Sequence, residues 1–77
     1  MTNTLGKRIR EARKDAGLTQ EAVARRADLT LNVISRIERG AIKDPHISSL
    51  RQIAHAVGVP VEALVTEEEA AGVPLAM

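Results

Sequence analysis

Glycine and threonine punctuate this sequence at intervals too short for any long helix. Gly17, Gly40 and Gly58 each follow a run with helical apolar spacing, and Thr19 and Thr30 each precede one. A glycine after such a run takes the left-handed conformation that ends a helix. A threonine before one offers its hydroxyl to the free amides of the first turn. The chain therefore reads as a series of short helices. The first spans residues 4 or 5 to 16, with Leu5, Ile9, Ala12 and Ala16 inward and Lys7, Arg8, Glu11, Lys14 and Asp15 mostly toward water. Gly17 caps it, and Leu18 folds back as the apolar contact of that cap. Thr19 opens a second helix, 20–27, with Val23, Ala24 and Ala27 inward. After a break at Asp28-Leu29, Thr30 opens a third, 31–39, with Ile34 and Ile37 inward.

A loop over 41–46 ends in Asp44-Pro45. Pro45 suits the first turn of a fourth helix and Asp44 its cap. Ile47, Leu50, Ile53, Ala54 and Val57 then face inward as far as Gly58. Val59-Pro60 leads into a last short helix over 61–65. Thr66 with Glu69 fits a capping box for one more turn, and disorder is expected over 70–77. No alternating strand of useful length interrupts the series. The expectation is a single all-α domain over 1–65 with an acidic tail over 66–77.

Cysteine is absent, which excludes a disulfide framework, thiolate zinc sites and thiol catalysis. Phe, Tyr and Trp are absent too. That removes the stacking platforms used on single-stranded nucleic acid and leaves an aliphatic core. No apolar run approaches the length of a membrane span, and no signal-type stretch follows Met1, so a cytoplasmic protein is expected.

The formal net charge of +1 hides a split. Residues 1–51 hold all 11 Lys and Arg against six acids, a net +5, whereas 52–77 hold four acids and no base. A basic body with an acidic tail can report a polyanionic partner.

The second and third helices carry the function. A short helix, a tight turn and a helix with a polar, basic outer face describe a helix-turn-helix. Ala24 sits where the two helices cross and must be small. Ile34 and Ile37 anchor the third helix from beneath, so Leu31, Asn32, Val33, Ser35, Arg36 and Arg39 face outward. A major groove about 12 Å wide admits such a helix, whose side chains then reach base edges.

The stretch from Leu5 to Val65 resembles the DNA-binding domain of Cro and the lambdoid phage repressors, the Xre-like family. The resemblance is carried by LGKRIREARKDAGLTQEAVARRA, by VISRIERG and by the segment from Pro45 that ends in IAHAVGV. It implies a five-helix lambda-repressor-like fold, and a double-stranded DNA partner read by a transcriptional regulator, a repressor or autoregulator. Position by position, it implies that Gln20 touches a phosphate and steadies the recognition helix. Leu31, Asn32, Val33 and Arg36 fall where the family reads bases. Asn pairs with adenine and Arg with guanine, while Leu31 and Val33 can only pack on a thymine methyl or a sugar. Thr30, Ser35, Arg39 and Lys43 fall where phosphate or groove-edge contacts lie. For each of these the competing reading is an ordinary solvated surface. Arg13 and Glu38 both fall on inward sides, and the resemblance implies a partly buried ion pair between the first and third helices. The chain departs from the family at Asp28, where Gly is usual and a left-handed Asp is expected, and at Leu31, where a polar residue is common.

An enzyme is not expected. His46 and His55 have no companion at metal-ligand spacing, and His46 with Ser48 and Ser49 reads as helix capping. No metal and no cofactor are implied. A small reading domain gains specificity as a homodimer on an inverted repeat. Val57, Val59, Val61, Leu64 and Val65 form a candidate apolar patch for it, although Val57 and Leu64 read equally well as core. Two rival readings use the same fold: a regulator controlled by a protein partner bound to the acidic tail, as in antitoxins, and a scaffold for protein contacts alone.

Overall fold

The computed structural model describes residues 4–65 and consists of four α-helices and one 3-10 turn. The helices are α1 (Thr4–Asp15), α2 (Gln20–Ala27), α3 (Leu31–Glu38) and α4 (Ile47–Val57), followed by the turn Val61–Ala63. Among the described residues there is no strand. The expected fifth helix is therefore a single 3-10 turn. The expectations for Thr66, Glu69 and the tail fall outside the described residues.

All four helices end in the same way. The residue at positive φ is Gly17, Asp28, Gly40 or Gly58. Its N–H donates to the carbonyl three residues back, and the next N–H donates to the carbonyl five back. At α1 these bonds are Gly17 to Lys14 at 2.9 Å and Leu18 to Arg13 at 3.1 Å; at α2 they are Asp28 to Arg25 at 3.3 Å and Leu29 to Ala24 at 2.8 Å. This is the Schellman pattern, which satisfies orphan carbonyls and turns an apolar residue back onto the helix. Leu18, Leu29 and Val59 play that part, each half-buried against the core. Asp28, at φ 57, shows that the turn of the helix-turn-helix is left-handed without glycine.

Two of the helix starts use threonine. The Thr19 hydroxyl accepts the Ala22 N–H at 3.0 Å, and the Thr30 hydroxyl accepts the Val33 N–H at 3.2 Å. The start of α4 differs from the sequence-based expectation. Pro45 is not in its first turn and Asp44 does not cap it. His46 is the N-cap, extended at ψ 145, and its side chain makes no capping bond. Extended backbone at 46 postpones the helix to Ile47, which puts Asp44 beyond reach of the first-turn amides.

The core is aliphatic throughout. Leu5 and Ile9 of α1, Val23, Ala24 and Ala27 of α2, and Ile34 and Ile37 of α3 meet Leu50, Ile53, Ala54, Ala56 and Val57 of α4. Ala24 lies buried on α2, which packs against both α3 and α4. Ile47 is not inward but 53% exposed, because the buried stripe of α4 begins a turn later at Leu50. Ala16, expected inward, is exposed beyond the end of α1.

Leu64 is 0% exposed and part of this core. The 3-10 turn folds the chain back, with the Leu64 N–H donating to the Val61 carbonyl at 3.0 Å. A side chain with no exposed surface cannot meet a second copy, so its assignment to a dimer interface is corrected. Val57, 7% exposed, is also part of the core.

Among the described residues, one charged side chain is buried with the aliphatic ones. Glu38, in the last turn of α3, accepts Arg13 Nε at 2.7 Å and Arg13 Nη2 at 3.2 Å. Arg13 Nη1 donates to the Leu18 carbonyl at 2.9 Å. The side chains of Arg13 and Glu38 are 13% and 4% exposed. Such a pair is tolerated because it is bidentate and hydrogen-bonded, and losing one partner strands the other. Glu38→Ala should therefore destabilise the fold by about 3 kcal/mol, seen as a lower melting temperature. An unchanged melting temperature would contradict a structural role. Leu64→Ala should cost about 2–5 kcal/mol by thermal or denaturant unfolding, and a cost near zero would contradict its place in the core.

Candidate nucleic-acid interface

The unit that presents a surface is α2, the left-handed turn at Asp28 and α3. Asn32, Ser35, Arg36 and Arg39 are spaced i, i+3, i+4 and i+7, so they share one face of α3 and its C-terminal cap. Asn32, Arg36 and Arg39 are exposed and Ser35 is half-buried. Leu31, the first residue of the helix, is 44% exposed, a large apolar side chain left at the surface beside this polar face.

Val33 is placed differently from the outward position expected of it. It is half-buried and packed against the core. It stands one turn before Ile37, so the helix turns it toward the flank of the buried side rather than onto the Asn32–Arg36 face.

The electrostatics of α3 follow from where its one acid goes. Glu38 is buried and engaged by Arg13, so its charge does not offset Arg36 and Arg39 at the surface. The outer face carries amide, hydroxyl and guanidinium groups, which pair bidentately with adenine or guanine edges or hold phosphates. Thr30 is exposed at the N-cap. Its oxygen accepts the Val33 amide, which leaves its own O–H as a donor. Lys43 is exposed in the following loop, close in sequence to exposed Asp44 and His46.

Gln20 makes a contact whose partner the sequence did not name. Its Nε2 donates to Glu38 Oε1 at 3.0 Å. The residue that opens α2 is thus bonded to the end of α3, and one carboxylate joins α1, α2 and α3. Eighteen residues separate the two partners. No local pattern in the sequence marks such a contact.

No group of three or more His, Asp or Glu side chains among the described residues is placed to hold a metal ion. Among them, too, no helix is long and apolar enough to cross a membrane.

Comparison with known proteins places this architecture. A family model described as "Helix-turn-helix" matches residues 9–64. An immunity repressor protein of Bacillus phage phi105 is 40% identical over 65 residues, covering 84% of this chain and 44% of the relative. The HTH-type transcriptional regulator ImmR of Bacillus subtilis is 33% identical over 66 residues, covering 86% of this chain and 51% of the relative. The chain thus spans about half the length of these two relatives. An uncharacterized HTH-type transcriptional regulator, y4dJ, of Sinorhizobium fredii is 35% identical over 66 residues, covering 86% of this chain and 84% of the relative. The α2–turn–α3 unit lies within the matched residues, and the chain belongs to the Xre-like helix-turn-helix family.

Proposed function

We propose that this chain is a transcriptional regulator that binds duplex DNA sequence-specifically, as a dimer on an inverted repeat, with α3 in the major groove. The observation that carries this reading is the outer face of α3. Asn32, Ser35, Arg36 and Arg39 are aligned there, and the helix's only acid is withdrawn into a buried ion pair. Asn32 and Arg36 read bases, and Leu31 packs against a thymine methyl or sugar. Thr30, Ser35, Arg39 and Lys43 hold phosphates. Gln20 contributes through its position at the start of α2, where it braces α3 and faces a phosphate. Val33 contributes through its exposed edge only.

Repression follows when the occupied site overlaps a promoter. Two of the relatives are named as regulators and one as an immunity repressor, which supports this direction of control. Dimerisation draws on Val59, Val61 and Val65, which keep part of their side chains at the surface. The patch is smaller than the sequence suggested, since Leu64 and Val57 are inside.

Fluorescence anisotropy on the preferred duplex separates the roles. Arg36→Ala and Asn32→Ala should each cost about 1–3 kcal/mol and relax preference at one base pair. Arg39→Ala and Lys43→Ala should weaken all duplexes alike and make binding less salt-dependent by about one unit of slope. Equal losses on preferred and random duplexes for Arg36→Ala would contradict base reading. Analytical ultracentrifugation should find a dimer on the DNA that Val61→Asp weakens. Only monomer, free and bound, would remove the dimer from this reading.

A further inference from the structure

We infer that the outer edge of α1 carries a second line of phosphate contacts, made by Lys7, Arg10 and Lys14, which lengthens the footprint on duplex DNA beyond the helix-turn-helix. This rests on the reading of α3 as the DNA-facing helix.

The inference starts from helix phase. Leu5, Gly6 and Ile9 are buried and Ala12 and Arg13 half-buried, which defines the inner side of α1. Lys7, Arg10 and Lys14 are spaced i, i+3 and i+7 and therefore share a face, and all three are exposed. With about 3.6 residues per turn, that face adjoins Arg13 and Gly6. Arg8, Glu11 and Asp15 fall on the other edge, where with Val57 and Val59 they line a shallow depression. The two edges of one short helix thus differ in charge: three cations on one, two acids and one cation on the other.

Arg13 then locates the cationic edge. Its guanidinium reaches Glu38 at the end of α3, and the same carboxylate takes the amide of Gln20 at the start of α2. The edge beside Arg13 therefore borders the Gln20 end of the helix-turn-helix and continues away from it along α1. Lys7, Arg10 and Lys14 form no ion pair with another described residue. Arg10 stands three residues from Lys7 and four from Lys14, so it repels both; Glu11 adjoins the two lysines and offsets part of that repulsion, and an opposing polyanion relieves the rest. Two of the three are lysines, flexible point charges suited to phosphate rather than to a base edge. Continuity with the α3 surface favours the DNA backbone over a separate acidic protein.

The test compares the salt dependence of binding to a long duplex for wild type, the triple variant K7Q/R10Q/K14Q and the control R8Q. Each lost phosphate contact lowers the slope of log K against log salt by about 0.9. The triple variant should therefore lose about 2.7 units of slope, so that wild type weakens about 40-fold more than the variant between 50 and 200 mM salt. Base preference should stay the same, R8Q should keep the wild-type slope, and K7R/K14R should retain it too. Should the triple variant melt early, the three single Gln variants, each losing about one unit, give the same reading. A wild-type slope in the triple variant, or an equal loss in R8Q, overturns the α1 line and leaves α3 as the reading helix. Failure of the wild type to bind any duplex at low salt instead overturns the reading of α3.

Discussion

The carboxylate of Glu38 is the point on which the arrangement of this domain depends. It lies in an otherwise aliphatic interior and receives a bidentate guanidinium from α1 and an amide from the first residue of α2. Burying a charge is costly, and a buried pair is not in itself a source of stability. What the pair supplies is orientation. Apolar contacts hold α3 in place with little directionality, whereas three hydrogen bonds to one carboxylate define how its end sits against α1 and α2. The same burial removes the single acid of α3 from its exposed polar face. Structure and electrostatics are thus set by one residue.

Short helices impose the second constraint. None of the four exceeds 12 residues, and isolated helices of that length are marginal in water. Each is stable only through the face it buries. The repeated left-handed stop satisfies carbonyls at every end and sends the chain back across the core, where Leu18, Leu29 and Val59 add apolar contacts. With no aromatic residue available, the interior is filled by Ile, Leu, Val and Ala. Small residues at positions such as Ala24 and Ala27 let the helices approach. The outcome is a rigid frame that presents α3 with its polar face free.

Local signals were legible wherever their chemistry is local. The bounds of α2 and the caps at Thr19 and Thr30 follow from residues within one turn of the feature, whereas the left-handed Asp28 is expected because the family that the chain resembles usually has Gly there. Misreadings arose where distant chain decides. Ile47 matches the apolar period of α4 but lies at its very start, ahead of the buried stripe. Leu64 reads equally well as core or as part of a surface patch, and it is the 3-10 turn that carries it inward. Val33 shares a helix with exposed Asn32 and Arg36 but is half-buried against the core. The Gln20–Glu38 bond pairs side chains 18 residues apart, and no sequence interval announces that pairing. The surface residues Asn32 and Arg36 are visible in the sequence as polar and outward, whereas the proposal that they read bases rests on physical inference.

Selection of binding sites from a random pool of duplex DNA tests that inference most directly. Recovery of an enriched inverted repeat, its half-sites about one helical turn apart and carrying the adenine and guanine that Asn32 and Arg36 pair with, is the expected result. Recovery of no enriched sequence at low salt would contradict base reading by α3.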